Sequence, residues 1–312
     1  MPLKRKAISL LKNISDAWER MTKKIILPGL DGLTAYDLWE IYSGGIIKGT
    51  FSTRASAIAF SFFMALFPFL LFVLNLIPYI NFIDDFQLQF LVFMDSLLPP
   101  TTTEFFNDIF LDIANTPRGG LLSFAFILSI FLMTNGVNAI FTGFEFSYHT
   151  NANRSIIRQY LVAIGISIIM ALLLLITVVL MVYLTYAVDD LSEIGIFIEK
   201  GFSAMLVKYA VFILLIYITV STLYYFGTKE GKQSKFFSIG ALFTTLLMVL
   251  TTYLFGLYIE NFSQYNELYG SIGALLVLMI YIWLNSNILL LGFELNACLI
   301  KMKKGLNIND LS

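Results

Sequence analysis

A single histidine and a single cysteine are all this chain of 312 residues has of the side chains that most often hold zinc. A tetrahedral zinc site draws on several such ligands, so one His and one Cys build no zinc or metal-hydrolase cluster. His149 has no recognisable Ser-His-Asp spacing around it, and Cys298 has no second cysteine for an internal disulfide. Charge is scarce too. Asp, Glu, Lys and Arg make up 13% of the residues, against about a quarter in a soluble domain. Basic loops this short and this poor in aromatics exclude nucleic acid as a partner. The run Gly227–Gln233 resembles a phosphate loop but is one residue short. It also has Gln where a magnesium-binding Ser or Thr belongs, and it follows an apolar run rather than a strand. No enzyme activity, ATP-driven step, cofactor or metal is expected. The first 30 residues are basic and polar and lack a compact apolar core, so no cleavable signal peptide is expected.

What is abundant is hydrophobic sequence, 58% of the chain. It falls into six long stretches, about 56–79, 121–144, 160–187, 205–226, 236–258 and 272–300. Each reaches the ~20 residues that cross ~30 Å of hydrocarbon as a helix. Backbone polar groups in lipid must be satisfied within the segment, which selects helices. The expected fold is therefore all-α: a polytopic membrane bundle of six transmembrane helices with amphipathic interfacial helices. Residues 1–53 form a cytoplasmic or interfacial arm, 54–300 the membrane domain and 301–312 a tail.

A net charge of −1 conceals a strong segregation. The arm carries Lys4, Arg5, Lys6, Lys12, Arg20, Lys23, Lys24, Lys48 and Arg54. Arg154 and Arg158 follow the second stretch, Lys229, Lys232 and Lys235 the fourth, and Lys301, Lys303 and Lys304 the sixth. That places 17 of 20 basic residues on one side, and the positive-inside bias puts both termini in the cytoplasm. In the arm, Ala7, Leu10, Leu11, Ile14, Trp18 and Met21 recur at helical spacing opposite a basic face, which suits an anionic inner leaflet or the bundle's rim. A second short helix is expected over 35–48. On the far side, residues 81–118 read as two amphipathic helices broken at Pro99–Pro100, with capping-box spacing at Thr101 and Glu104. These would cap the bundle mouth, as a rigid cover or a lid.

Polar groups at membrane depth are costly and face other helices or a water-filled cavity. Arg54, Ser61, Pro68 and Asn75 are spaced seven apart, and a helix drifts only ~20° per seven residues, so they form one stripe. Pro68 removes a backbone donor and crowds the carbonyl of Met64, so a kink or an opened turn is expected there. Asn135, Asn138, Thr142 and Glu145 share a face of the second helix; Asn287 and Glu294 share one on the sixth. Topology brings Arg54, Glu145 and Glu294 to similar depth on the cytoplasmic side. Two readings follow: an Arg–Glu bridge tying helices together, or a polar cavity lined by the asparagines. One arginine does not neutralise two carboxylates, so one is expected to be protonated or to pair with a ligand cation.

The stretch from Arg54 to Pro68, RASAIAFSFFMALFP, resembles the YihY/BrkB family of bacterial inner-membrane proteins, once named ribonuclease BN. So do Tyr269–Leu275 (YGSIGAL), Trp283, Gly292–Asn296 (GFELN) and the Tyr258, Phe262, Tyr265 run. The likeness covers most of residues 45–300. It implies a six-helix bundle with cytoplasmic ends and marks Arg54, Pro68, Glu294 and Asn296 as family-typical positions. This chain departs from the pattern at Phe144–Phe146, where an Asn-Arg pair is usual, and near Tyr224–Gly227, where a proline is usual. The ribonuclease name conflicts with the missing catalytic chemistry. The resemblance implies transport, with lipids or lipid-linked molecules as the cargo. The expected path is Arg54, Asn75, Asn135, Asn138, Asn287, Glu145 and Glu294, with Pro68 as the hinge. Alternatives are an ion-coupled solute carrier, or a scaffold that holds an envelope-protein partner and moves nothing. Membrane lipids are the expected neighbours in every case.

Overall fold

A computed structural model describes residues 51–76, 119–147, 154–193, 202–229, 231–261 and 271–309, with short pieces at 19–26, 34–36, 39 and 43. The expected cap at 81–118 and most of the arm lie outside the described residues. Glu19–Thr22 of the arm is helical, with Lys23 Nζ 2.6 Å from Glu19 Oε1 and 4.8 Å from the Tyr36 ring centroid.

Six long helices carry the structure. They are α1 Phe51–Leu76, α2 Gly119–Glu145, α3 Ile156–Glu193, α4 Phe202–Gly227, α5 Ile239–Asn261 and α6 Ser271–Asn309. All contain a span long and apolar enough to cross a membrane. At about 1.5 Å per residue, even α5, with 23 residues, covers the hydrocarbon. The protein is an all-α membrane bundle, as its hydropathy predicts.

Helix ends follow local chemistry. The fifth apolar stretch opens at about Phe236, and its helix starts at Ile239. Ser238 is its N-cap, its Oγ accepting the N–H of Ala241 at 3.2 Å. Phe236 and Phe237 instead pack their rings on Tyr225 and Tyr217 of α4. α4 stops at Gly227 against the Phe144 ring, where a side chain would collide. A tight turn follows, closed by Gly231 N–H donating to Thr228 Oγ1 at 3.0 Å and Ser234 Oγ donating to Gly231 O at 2.7 Å. α1 runs unbroken through Pro68, which is buried.

The helices pack in chain order, and α6 closes the ring against α1. α2 also reaches across to α4 and α6. One end of the ring, called here the basic end, holds the start of α1, the ends of α2, α4 and α6 and the starts of α3 and α5. Its middle is filled by aromatic rings. Phe144 stacks on Phe293 at 4.0 Å with planes 8° apart, and Tyr224 meets both edge-on at 5.5 and 5.7 Å. Phe141 and Phe144 are fully buried.

Lipid is as apolar as leucine, so helices in it associate through close packing and polar contacts rather than through hydrophobic drive. Small residues at the α5–α6 crossing serve this. A Cβ on Gly292 would overlap Thr244 Oγ1 and the Tyr224 hydroxyl, and one on Gly240 would overlap the Gly292 carbonyl.

Burial is uneven along the bundle. Among the described side chains, none of α3 beyond Ser167 and none of α4 before Leu215 is buried. Beyond Thr245, only Phe255 of α5 is buried. On the α3–α5 side, the bundle is tightly packed at the basic end and loose at the other.

Gly292→Ala is expected to cost about 1–3 kcal/mol through overpacking, read as a lower unfolding midpoint in detergent. Gly165→Ala, where the added carbon meets nothing within 4 Å, leaves the midpoint unlowered.

Candidate functional site

The first turn of α1, the end of α2 and the Glu294 turn of α6 converge at the basic end. Arg54 is 8% exposed and Glu294 1% exposed. Arg54 Nη1 donates to the Gly143 carbonyl at 2.7 Å. That carbonyl lies in the last turn of α2, where intrahelical donors run out and the helix dipole favours a cation. The neighbouring carbonyls are already taken, Thr142 O by Phe146 N–H and Phe144 O by Ser147 N–H. The guanidinium also lies 4.7 Å from the centroid of the Phe51 ring.

Glu294 accepts a 2.6 Å hydrogen bond from Ser147 Oγ, which sits just past the end of α2. Glu294 and Arg54 interact electrostatically. The Nε and Nη2 atoms of Arg54 are buried without a hydrogen-bond partner.

Glu145 is held elsewhere, at the start of α3. Its Oε1 accepts the backbone N–H of Arg154 at 3.1 Å, ahead of the first turn of α3. The Arg154 guanidinium donates to the Phe226 carbonyl at 2.7 Å, near the C-terminus of α4. Burial pulls the Arg154 pKa below its ordinary value, Glu145 pushes it back up and Arg158 lowers it further. It remains a cation, because arginine does not deprotonate in proteins. Each carboxylate thus acts on a different arginine, Glu294 on Arg54 and Glu145 on Arg154, while its hydrogen bond comes from Ser147 Oγ and from the Arg154 backbone respectively. Arg154 also ties the end of α2 to the end of α4.

The asparagines do not converge on these charges. Asn135 accepts from the Tyr160 hydroxyl at 3.0 Å, and Asn138 from Gln159 Nε2 at 3.0 Å. Gln159 also donates to Thr142 Oγ1 at 3.0 Å, and Thr134 and Ser167 share a 3.0 Å hydroxyl contact. These form a polar seam between α2 and α3. Asn287 donates back to the Trp283 carbonyl of its own helix at 2.8 Å. Asn75 lies in the last turns of α1, toward the other end of the bundle.

Asn296 bridges α6 to the start of α5. Its Oδ1 accepts Gly240 N–H at 2.9 Å and its Nδ2 donates to Ser238 Oγ at 2.6 Å. Beside it, the Tyr224 hydroxyl donates to the Leu289 carbonyl at 2.7 Å and meets Thr244 Oγ1 at 2.5 Å, tying α4, α5 and α6. A cavity of about 10 Å³ lies between Tyr224, Thr228, Ser234 and Asn296, roughly the room one water needs.

Sequence reasoning missed Ser147, Gln159, Tyr160, Tyr224 and Thr244. The one-face argument finds partners along a helix, and these are partners across helices. The available signal was position: Gln159 and Tyr160 open α3, which the short connection from α2 forces to lie beside it. Among the described residues, no group of three His, Cys, Asp or Glu gathers as a metal site.

Arg154→Met is expected to destabilise the fold by about 1.5–3 kcal/mol, the range for hydrogen bonds to a charged group. Thermal unfolding in detergent measures it. Arg158→Met, at an exposed position, serves as the control and changes the midpoint little.

Comparison with known proteins places the chain. The family model described as virulence factor BrkB matches residues 45–309. A Bacillus subtilis (strain 168) protein named as ribonuclease-like, YfkH, is 30% identical over 81% of this chain and 91% of its own length. A membrane protein of Psychrobacter sp. (strain PRwf-1) called UPF0761 is 25% identical over 90% of this chain, which spans about half (51%) of that relative. Another UPF0761 membrane protein, from Actinobacillus pleuropneumoniae, is 24% identical over 86% of this chain and 93% of its own. No solved structure matches. With six membrane-spanning helices and a family match over most of its length, this chain belongs to the virulence factor BrkB family of membrane proteins.

Proposed function

We propose that this chain is a non-enzymatic transporter of lipids or lipid-linked amphiphiles in a bacterial inner membrane. The observation that carries the reading is the uneven packing of the bundle. At the basic end the Phe144–Phe293–Tyr224 cluster and the polar ties around it close the ring. Away from that end, no described side chain of α3 beyond Ser167 or of α4 before Leu215 is buried, and of the described α5 side chains beyond Thr245 only Phe255 is. Helices packed this loosely part at low cost, and apolar side chains accept acyl chains between them.

Positive-inside bias turns the closed end to the cytoplasm and the loose half to the outer leaflet. An amphiphile fits this arrangement: its tails lie against the loose half, and its headgroup meets polar groups only at the closed end. A hydrated ion finds no such match, because Asn135 and Asn138 are bonded across the α2–α3 seam. Pro68, buried in the span of α1, is the point where that helix lacks a backbone donor and bends most readily. The ribonuclease-like name of the Bacillus relative gains no support from a chain with one histidine and one cysteine.

Transbilayer movement of fluorescent phospholipids in liposomes tests the reading. Liposomes holding the purified chain are expected to move label faster than protein-free ones, and Pro68→Ala is expected to slow that movement several-fold, a barrier change of about 1 kcal/mol. Folded protein that moves no label would leave the scaffold reading in its place.

A further inference from the structure

The described part of the arm turns back on itself. After the helical turn at Glu19–Thr22, Ile26 bridges antiparallel to Thr34, and Ala35 N–H donates to the Ile25 carbonyl at 2.9 Å. Ala35, Tyr36 and Trp39 are helical again. Lys23 Nζ, bonded to Glu19, lies over the Tyr36 ring and joins the two limbs. This small unit covers little of its own apolar surface. Met21 is 70% exposed, Ile26 66%, Ile25 54% and Trp39 50%. Apolar exposure so concentrated marks an interaction surface. Arg20, Lys23 and Lys24 are exposed among these side chains. Residues 20–26 hold three cations and no acid, and the whole arm, 1–53, has eight basic residues against five acidic.

Charge decides what covers that surface. The rim of the bundle's basic end exposes Arg158, Lys229, Lys232, Lys235 and Lys301. Its described carboxylates are drawn inward, Glu145 to the Arg154 N–H and Glu294 to Ser147. Such a rim repels residues 20–26, and so does the same segment of a second copy. A surface with negative charge outside and apolar matter behind it attracts both the cations and the isoleucines. The lipid leaflet at the basic end is that surface. Positive-inside bias makes it the cytoplasmic leaflet, where anionic lipids attract basic segments. It is also within reach. Trp39 stands 12 residues before Phe51, where α1 begins, and that much chain spans at most about 40 Å. The rim shows the same mixture where the bundle meets this leaflet, with Ile156 and Ile157 exposed beside Arg158.

We propose that the arm is a docking surface for an anionic lipid leaflet. Met21, Ile25, Ile26 and Trp39 enter the boundary between headgroups and acyl chains, the depth at which amphipathic segments and tryptophan settle. Arg20, Lys23 and Lys24 meet the lipid phosphates. Docked in this way, the arm holds the start of α1 at the leaflet surface. None of this depends on what the bundle carries.

The test places an environment-sensitive fluorophore on Ile26→Cys in the full chain, with Cys298→Ala so that position 26 alone is labelled. The protein is reconstituted in nanodiscs of phosphatidylcholine, or of equal parts phosphatidylcholine and phosphatidylglycerol. With phosphatidylglycerol the emission is expected to shift to the blue, and spin-labelled lipids are expected to quench it. Both effects are expected to weaken in phosphatidylcholine alone, and in about 1 M salt, where charges are screened beyond ~3 Å. Each cation at an anionic surface multiplies the docked-to-free ratio about fivefold, so Arg20→Gln with Lys24→Gln lowers it on the order of 25-fold. The readout is a higher phosphatidylglycerol fraction at half-maximal quenching. The lipid and salt comparisons need no charge variant, so they decide even if that variant misfolds.

Three results would overturn the docking. Emission that stays red and unquenched in both lipids leaves position 26 in water. Blue emission that lipid spin labels do not quench means that protein, the rim or a second copy, covers it. Equal quenching in both lipids, untouched by salt, means that apolar insertion acts without the charges.

Discussion

A polar group at membrane depth must find a partner inside the protein, and the basic end of this bundle is organised by that demand. Gly143 O, left over by the end of α2, takes Arg54. Phe226 O, near the end of α4, takes Arg154. Gly240 N–H, in the first turn of α5, takes Asn296. Three helix ends are thus completed by side chains from other helices, and each completion fixes one helix against another. In water these groups would be solvated and the bonds would weigh little; in hydrocarbon the alternative is an unsatisfied dipole.

Those ties permit the close packing around them. With α4, α5 and α6 drawn together at Tyr224, Thr244 and Asn296, only glycine fits at 240 and 292, and the Phe144–Phe293 stack fills what remains. The same logic explains the looseness elsewhere. The described outer stretch of α3 has few polar side chains to tie, α5 keeps one tie there, Thr252 Oγ1 to the Tyr281 hydroxyl of α6 at 2.7 Å, and apolar side chains gain as much from lipid as from one another. A bundle clamped at one end and free at the other is a natural basis for motion that opens one side.

Position along a helix and position across helices were unequally legible. The stripe of Asn135, Asn138 and Thr142 follows from their spacing, and the structure keeps them on one face. That face meets Gln159 and Tyr160 of α3, so the two asparagines expected to line a path are bonded, with Thr142, in a seam. Asn287, on the same face as Glu294 by count, bonds back to its own helix at Trp283. Spacing gives direction from a helix axis and carries no information about which neighbour stands there.

By itself the sequence determined the six spans, their alternating direction, the segregation of basic residues and the gathering of Arg54, Glu145 and Glu294 at one end. These depend on hydropathy, length and chain order, which are local or nearly so. Tertiary structure alone decided that Glu145 goes with Arg154 and Glu294 with Ser147 and Arg54, that Asn296 serves α5, and that the ring is filled by aromatics at one end. Such pairings turn on ångström-scale rotation and approach of packed helices, set by glycine contacts and by every other tie at once, and no single segment encodes them.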